Sequence, residues 1–234
     1  RRRAVDALTR SSEEEPDADA GEKIVRSRLP ETALAPVLAL LTREEVDEAQ
    51  VEILLGRIEG PGVADKLLQA LQGDGPAMLL RLAARRLAGL GEKRAGPPLL
   101  ALLGKATDPY AGQFVADALV TLDDPAVLEP LFAQLRSGTP AVRRLVINVL
   151  GRLRQPRAIG PLIAALRAGE NNELGGDARQ ALETLTGQSF STGDEWLRWW
   201  KENAGKPIVL PMPKKPAEEI PAEEPAEEKT EDPK

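Results

Sequence analysis

PPLLALLGK, residues 97–105, is one of five copies of a short pattern, and the interval between copies decides the fold. The others are APVLALLTR from Ala35, DKLLQALQG from Asp65, EPLFAQLRS from Glu129 and GPLIAALRA from Gly160. Pro36, Lys66, Pro98, Pro130 and Pro161 lead them, at spacings of 30, 32, 32 and 31 residues. Three apolar columns follow in register: Val37, Leu67, Leu99, Leu131 and Leu162; Leu38, Leu68, Leu100, Phe132 and Ile163; Leu41, Leu71, Leu103, Leu135 and Leu166. Positions i, i+1 and i+4 share one helical face, so each copy reads as a short amphipathic helix. A leading proline is tolerated because the first turn has no intrahelical amide bond to lose.

A second pattern recurs about twenty residues further on, marked by Leu55, Leu87, Leu119, Leu150 and Leu182 at spacings of 32, 32, 31 and 32. Each marker has apolar partners at −4 (Val51, Ala83, Val115, Val146, Ala178) and at +3 (Ile58, Leu90, Leu122, Leu153, Leu185). Turn signals separate the two patterns: Gly73-Asp74-Gly75-Pro76, Asp108-Pro109 and Ser137-Gly138-Thr139-Pro140. In the last two a capping side chain precedes a proline at the expected first helical position. The unit is helix, turn, helix, turn in roughly 31 residues. One such hairpin buries too little apolar surface to offset the entropy of ordering its chain, so neighbours must stack on one another.

The Pro-Leu-Leu/Ile-x-x-Leu first helices, and the second helix VRRLVINVLGRL from Val142, resemble HEAT repeats of the short bacterial type also found in phycobilisome-lyase-like proteins. The resemblance covers residues 35–187, and it departs in one detail: the aspartate and arginine often placed around the turn of such repeats occur together in no repeat here. It implies an all-α, armadillo-like α-α superhelix, a right-handed solenoid of about five HEAT-like helical hairpins. The tryptophan, glycine and tyrosine landmarks of tetratricopeptide repeats are missing, as is the Thr-Pro-Leu-His of ankyrin repeats.

Composition agrees with a helical reading. Hydrophobic residues make up 42% of the chain but aromatic residues only 3%, so a core must come mainly from Leu, Ala and Val. Cysteine and histidine are both absent, which removes disulfides, thiolate nucleophiles, Cys/His zinc sites and the usual general base of neutral pH. No apolar run approaches the ~18 residues of a membrane span. The richest, Ala77 to Leu90, is broken by Arg81, Arg85 and Arg86. The first residues, Arg1-Arg2-Arg3 without Met, suggest a fragment or a processed product. Location is open between a soluble cytoplasmic and an exported protein.

The ends read differently from the body. RRRAVDALTR, residues 1–10, aligns with RRLVINVLGR from Arg143 and puts Leu8 on the Leu150 column, so it reads as a partial repeat helix or, equally, a stray amphipathic one. Residues 11–30 form an acidic linker, of which Ser11 to Lys23 carries a charge of −5. The solenoid is expected over 31–205. It ends in a capping helix over 191–204, with Ser191 or Thr192 as N-cap and Trp196, Trp199 and Trp200 on one face. Such a tryptophan cluster can be a ligand cage, but closing the exposed end of a repeat core requires the same residues. Similar endings recur in bacterial HEAT proteins. Residues 206–234, with seven prolines and PAEE repeats, read as a disordered Pro/Glu-rich tail of charge −3. Of the net −6, only about −1 then belongs to residues 24–205.

Chemistry is hard to find. Gly104-Lys105 lacks the upstream glycine and the following Ser or Thr of a phosphate loop, and Gly89-x-Gly91 is a helix ending. Glu170, Asn171, Asn172, Glu173 and Asp177 do not have EF-hand spacing and read as an inter-helix turn. Glu44-Glu45 and Asp123-Asp124 are carboxylate pairs with nothing to set one pKa against the other. The chain is therefore expected to be no enzyme and to need no cofactor or metal.

What remains is surface. In HEAT-like solenoids the second helices line the concave face, and positions −6, −2 and +2 from the marker leucine form a stripe there. The stripe holds Arg81, Arg85, Gln113, Asp117, Arg144, Asn148, Arg152 and Gln180. It suits a protein or peptide partner, since arginine is enriched in binding hot spots; an ordinary solvated helix face would look the same. The leading expectation is a non-catalytic, monomeric scaffold. Two alternatives are a nucleic-acid-binding module, from Arg81, Arg85, Arg86, Lys93 and Arg94 against a nearly neutral body, and a phycobilin-lyase-like accessory protein, from resemblance alone.

Overall fold

The computed structural model describes residues 28–41, 47–73, 75–107, 112–169, 172–203 and 205–206. The expected helix over 1–10, the linker up to residue 27, Glu44-Glu45, Asp108-Pro109, Glu170-Asn171 and the tail beyond Lys206 lie outside the described residues.

Eleven α-helices are described, ten of them paired into five hairpins. Repeat 1 is α1 (Leu34–Leu40) with α2 (Glu48–Arg57), and repeat 2 is α3 (Val63–Gln72) with α4 (Ala77–Gly89). Repeats 3 and 4 are α5 (Gly96–Gly104) with α6 (Gln113–Leu122) and α7 (Leu128–Ser137) with α8 (Pro140–Arg152). Repeat 5 is α9 (Ile159–Ala168) with α10 (Glu173–Thr186), and α11 (Gly193–Asn203) follows. First helices α3, α5, α7 and α9 pack successively in one layer, and second helices α2, α4, α6, α8 and α10 in the other. This is the α-solenoid expected from the spacing.

The core is the set of columns read from the sequence. Every residue of the six apolar columns is buried except Leu38, which is half-buried, and Leu90, which is 46% exposed. Leu90 corrects the expectation. It sits at the C-cap of α4, where Gly91 takes the left-handed conformation (φ 65°) and the amides of Gly91 and Glu92 donate to the carbonyls of Ala88 and Leu87. Leu122 and Leu153 end their helices in a similar way, before Asp123 (φ 44°) and Arg154 (φ 54°), yet stay buried. Their repeats enter the first helix through a 3-10 turn, at Lys93–Ala95 and Pro125–Val127, whereas repeat 2 enters α3 from an extended segment. Leu122 packs beside the start of α5, where a Cβ on Gly96 would lie 3.9 Å from it.

Those 3-10 turns also shift the helix starts. Pro36, Pro98, Pro130 and Pro161 occupy the third position of α1, α5, α7 and α9 rather than the first, still within the turn whose amides have no intrahelical acceptor. Thr139 caps α8, its hydroxyl accepting from the Val142 amide at 3.3 Å with Pro140 at the first helical position, as expected. At α6 the described helix starts at Gln113 and not directly after Asp108.

Two further corrections come from the N-terminal side. Leu29–Pro30, assigned to the linker, forms a parallel two-residue pairing with Ile58–Glu59, and Arg28 pairs with Glu59 at 2.8 Å. Ile58 is fully buried, but it reaches the core through this extended segment and not as part of α2.

At the other end α11 packs on α9. Its first turn is a reciprocal cap: the Glu195 carboxylate accepts from the Ser191 and Thr192 amides at 2.9 and 3.1 Å, and the Thr192 hydroxyl accepts from the Glu195 amide at 3.3 Å. Trp196 is fully buried, edge-on to Phe190 and Trp199 with centroids 4.9 and 5.9 Å away, while Trp199 and Trp200 are half-buried.

Candidate interaction groove

The second helices fall in register, so the same side chains recur along the groove between them. Towards the N-terminal end, Arg81, Arg85, Gln113 and Asp117 line a cleft of about 530 Å³ with Phe114 and Thr121. Towards the other end, Arg144, Asn148, Arg152 and Gln180 line a cleft of about 330 Å³ with Asp177 and Thr184. Gln113 borders both, so all eight residues of the expected stripe lie along one continuous strip.

The electrostatics of that strip were not legible from the stripe alone, because its arginines are tied to carboxylates on neighbouring repeats. Arg81 pairs with Glu48, Arg85 with Glu52 at 2.5 Å, and Arg152 with Asp117 at 2.6 Å. Arg144 pairs with both Asp177 at 2.7 Å and Glu173 at 2.9 Å. Gln113 donates to Asp117 at 3.1 Å and Arg152 to Asn148 at 3.2 Å. Glu52 holds the Arg85 guanidinium above its ordinary pKa, chiefly through that side-chain hydrogen bond. Two of the carboxylates missed by the stripe follow a rule. Glu48 and Glu52 stand at −7 and −3 from Leu55, one residue before the stripe positions, and meet −6 and −2 of the next repeat.

The floor is set by close helix packing. A Cβ on Gly151 would lie 2.9 Å from the Cβ of Ala181 and 3.1 Å from its Cα, so α8 and α10 can touch only because residue 151 is glycine. Ile147, buried, and Ala181 add apolar patches there.

Two of the other basic residues, Arg86 and Arg94, are occupied too. Arg86 donates to the Ile58 carbonyl at 3.2 Å. Arg94 is bound to Asp65 and Glu92, both at 2.8 Å, and its side chain, hydrogen-bonded, lowers the Glu92 pKa. Three of the carboxylates considered for chemistry have structural partners: Asp124 accepts from the Ala126 amide at 3.1 Å, and Asp177 and Glu173 hold Arg144. Asn172 caps α10 through the Leu174 amide at 3.0 Å. Among the described residues there is no group of three or more His, Cys, Asp or Glu side chains placed to hold a metal ion. No described helix is long and apolar enough to cross a membrane.

Comparison with known proteins adds one match. The model of a family described as HEAT repeats matches residues 63–139 and 96–183, together just over half of the chain, from α3 through most of α10. No curated protein matches the chain.

Proposed function

The chain belongs to the HEAT-repeat family, whose members are generally protein-interaction scaffolds, and from that premise we propose that it is a non-catalytic scaffold holding a protein or peptide partner along the groove of its second helices. The observation that carries this reading is the strip of alternating guanidinium, carboxylate and amide groups running from Arg81 to Gln180. Such a strip offers donors and acceptors over several repeats, and its small apolar patches at Ile147 and Phe114 are the size of single side-chain contacts.

Charge balance favours a polypeptide over a polyanion. Phosphate binding requires cations free to displace counterions. Here Arg81, Arg85, Arg144 and Arg152 already face carboxylates, so a phosphate backbone would have to displace them or sit beside them.

The test is affinity capture with the full chain, wild type against Arg85→Glu and Arg144→Glu, followed by mapping of cross-links on the captured partner. Each substitution puts a carboxylate where one already stands opposite. Capture should fall at least tenfold and cross-links should cluster on α6, α8 and α10. Capture of every partner at wild-type strength by both variants removes the groove from the account.

A further inference from the structure

Three of the seams between second helices are bridged by side chains on the groove side. Glu48 and Glu52 of α2 hold Arg81 and Arg85 of α4, Asp117 of α6 holds Arg152 of α8, and Arg144 of α8 holds Asp177 and Glu173 of α10. Between α4 and α6, no side-chain hydrogen bond or ion pair joins the described residues, whose polar groups bond elsewhere. Register gives the reason. Position −2 of α6, Asp117, meets position +2 of α8, Arg152. The same step from α4 sets Arg85 towards Thr121, whose hydroxyl is short and uncharged. Position −3 of α2, Glu52, meets −2 of α4, but the equivalent step from α4 offers Asp117 only the methyl of Ala84.

The unbridged seam is the cleft of about 530 Å³, with Arg81 and Arg85 on one wall and Gln113, Asp117 and Thr121 on the other. One of its lining residues is aromatic. Phe114 stands at −5 from Leu119, where repeats 2 and 4 carry Leu82 and Leu145, both buried. The larger Phe114 side chain is only half-buried and lines the cleft beside Ala118. Among the described residues, no aromatic side chain lines the cleft between α8 and α10. We infer that the α4–α6 cleft takes the partner's anchor side chain and that this anchor is aromatic, a Phe, Tyr or Trp ring against Phe114 with its face to the guanidinium of Arg81 or Arg85. The inference rests on the groove reading and supplies the chemistry of one subsite within it.

Charge selects the ring over its competitors. A partner carboxylate would have to compete with Glu48 or Glu52 for the arginines. A partner ammonium would sit beside two guanidiniums, and the carboxylate opposite, Asp117, is already bound by Arg152 and Gln113. An aliphatic chain would desolvate the guanidiniums and return nothing to them. The face of an aromatic ring attracts a cation without taking a hydrogen bond from it, so Arg81 and Arg85 keep their carboxylates. A second ring also gains stacked or edge-on contact with Phe114.

The experiment follows the backbone amide shifts of the full chain during titration with N-acetyl-tryptophanamide and with the corresponding leucine and aspartate amides. The tryptophan probe should give saturable shifts at Phe114, Ala118 and Thr121 and bind at least about threefold tighter than either of the others. Phe114→Leu installs the residue that repeats 2 and 4 carry, and Thr121→Glu supplies a carboxylate to bridge to Arg85. Each should weaken the tryptophan probe at least about fivefold while amide shifts outside the cleft stay unchanged. Leucine or aspartate binding as tightly, tryptophan shifts centred on α8 and α10, full-strength binding by both variants, or no shift at all overturns the inference. Affinity capture then separates it from the groove reading. A partner lost to Arg144→Glu but held at full strength by Phe114→Leu removes the anchor and leaves the groove, whereas a partner held equally by Arg85→Glu, Arg144→Glu and Phe114→Leu removes both.

Discussion

Between α2 and α4 the groove-side seam is ionic, carried by Arg81–Glu48 and Arg85–Glu52, and the first helix of repeat 2 is tied back through Lys66 to Glu31 at 2.7 Å. Between α8 and α10 the seam is ionic as well, through Arg144 with Asp177 and Glu173, but it adds a steric contact, Gly151 against Ala181, and the stack then ends under a fully buried tryptophan. Exposed ion pairs contribute little, about 0–1 kcal/mol each, whereas close apolar contact is worth several times more. The two halves thus have the same architecture with different sources of cohesion, and the C-terminal half should be the more stable. In a repeat array each unit contacts only its neighbours, so such a difference survives as a gradient along the chain.

The largest test of that difference is the cap. Trp196→Ala should lower stability by about 3–5 kcal/mol, read from urea unfolding, since a large fully buried aromatic side chain is lost. Amide protection should fall first in α9 and α10 and last in α3 and α4. A loss below ~1 kcal/mol, or an even loss over all repeats, would break the idea that α11 closes the stack locally.

A sharper test uses one position in two repeats. Gly56 and Gly151 both follow the marker leucine directly, but a Cβ on Gly56 meets nothing within 4 Å. Gly56→Ala should therefore stabilise by up to about 1 kcal/mol, through the helix preference of alanine. Gly151→Ala should destabilise by about 1–3 kcal/mol, because α10 must back away. Opposite signs sharpen the contrast between halves; the same sign at both sites removes the steric seam.

The apolar columns were legible because burial depends on the identity of a single residue at a fixed phase, and Leu103, Leu119 and Leu150 are all fully buried. What escaped the reading depends on pairs or on backbone. Glu52 lies one residue off the stripe, so it looks like ordinary helix surface until the offset between neighbouring helices brings it to Arg85. The Leu29–Pro30 pairing is two residues long and leaves no periodic trace. Leu90 fits its column by type, yet it falls at the C-cap of α4 and is exposed there. In the groove, position was readable from register, but whether each charge was free or already paired was not.

The smallest expected effect separates the two kinds of cohesion by pH and salt. Glu31 is held below the ordinary carboxylate range mainly by its hydrogen bond from Lys66, then by the Gly62 amide. Glu195 is held low mainly by the Thr192 amide, then by the Ser191 amide. A carboxyl whose pKa is depressed by folding adds stability above its unfolded pKa and loses it as pH falls through the lower folded value. Glu31→Gln and Glu195→Gln should both be less stable than wild type at pH 7, by less than either packing substitution, and the deficits should begin to shrink as pH falls past the ordinary Glu value of about 4.3 and vanish only below the lower folded value. Salt then distinguishes them. The Glu31 deficit should shrink between low and 1 M salt because an exposed Lys66 charge is screened, while the Glu195 deficit, made of short-range amide dipoles, should hold. If both deficits fade equally with salt, the cap of α11 is as ionic as the seam of repeat 2, and the distinction between the ends lies in Trp196 and Gly151 alone.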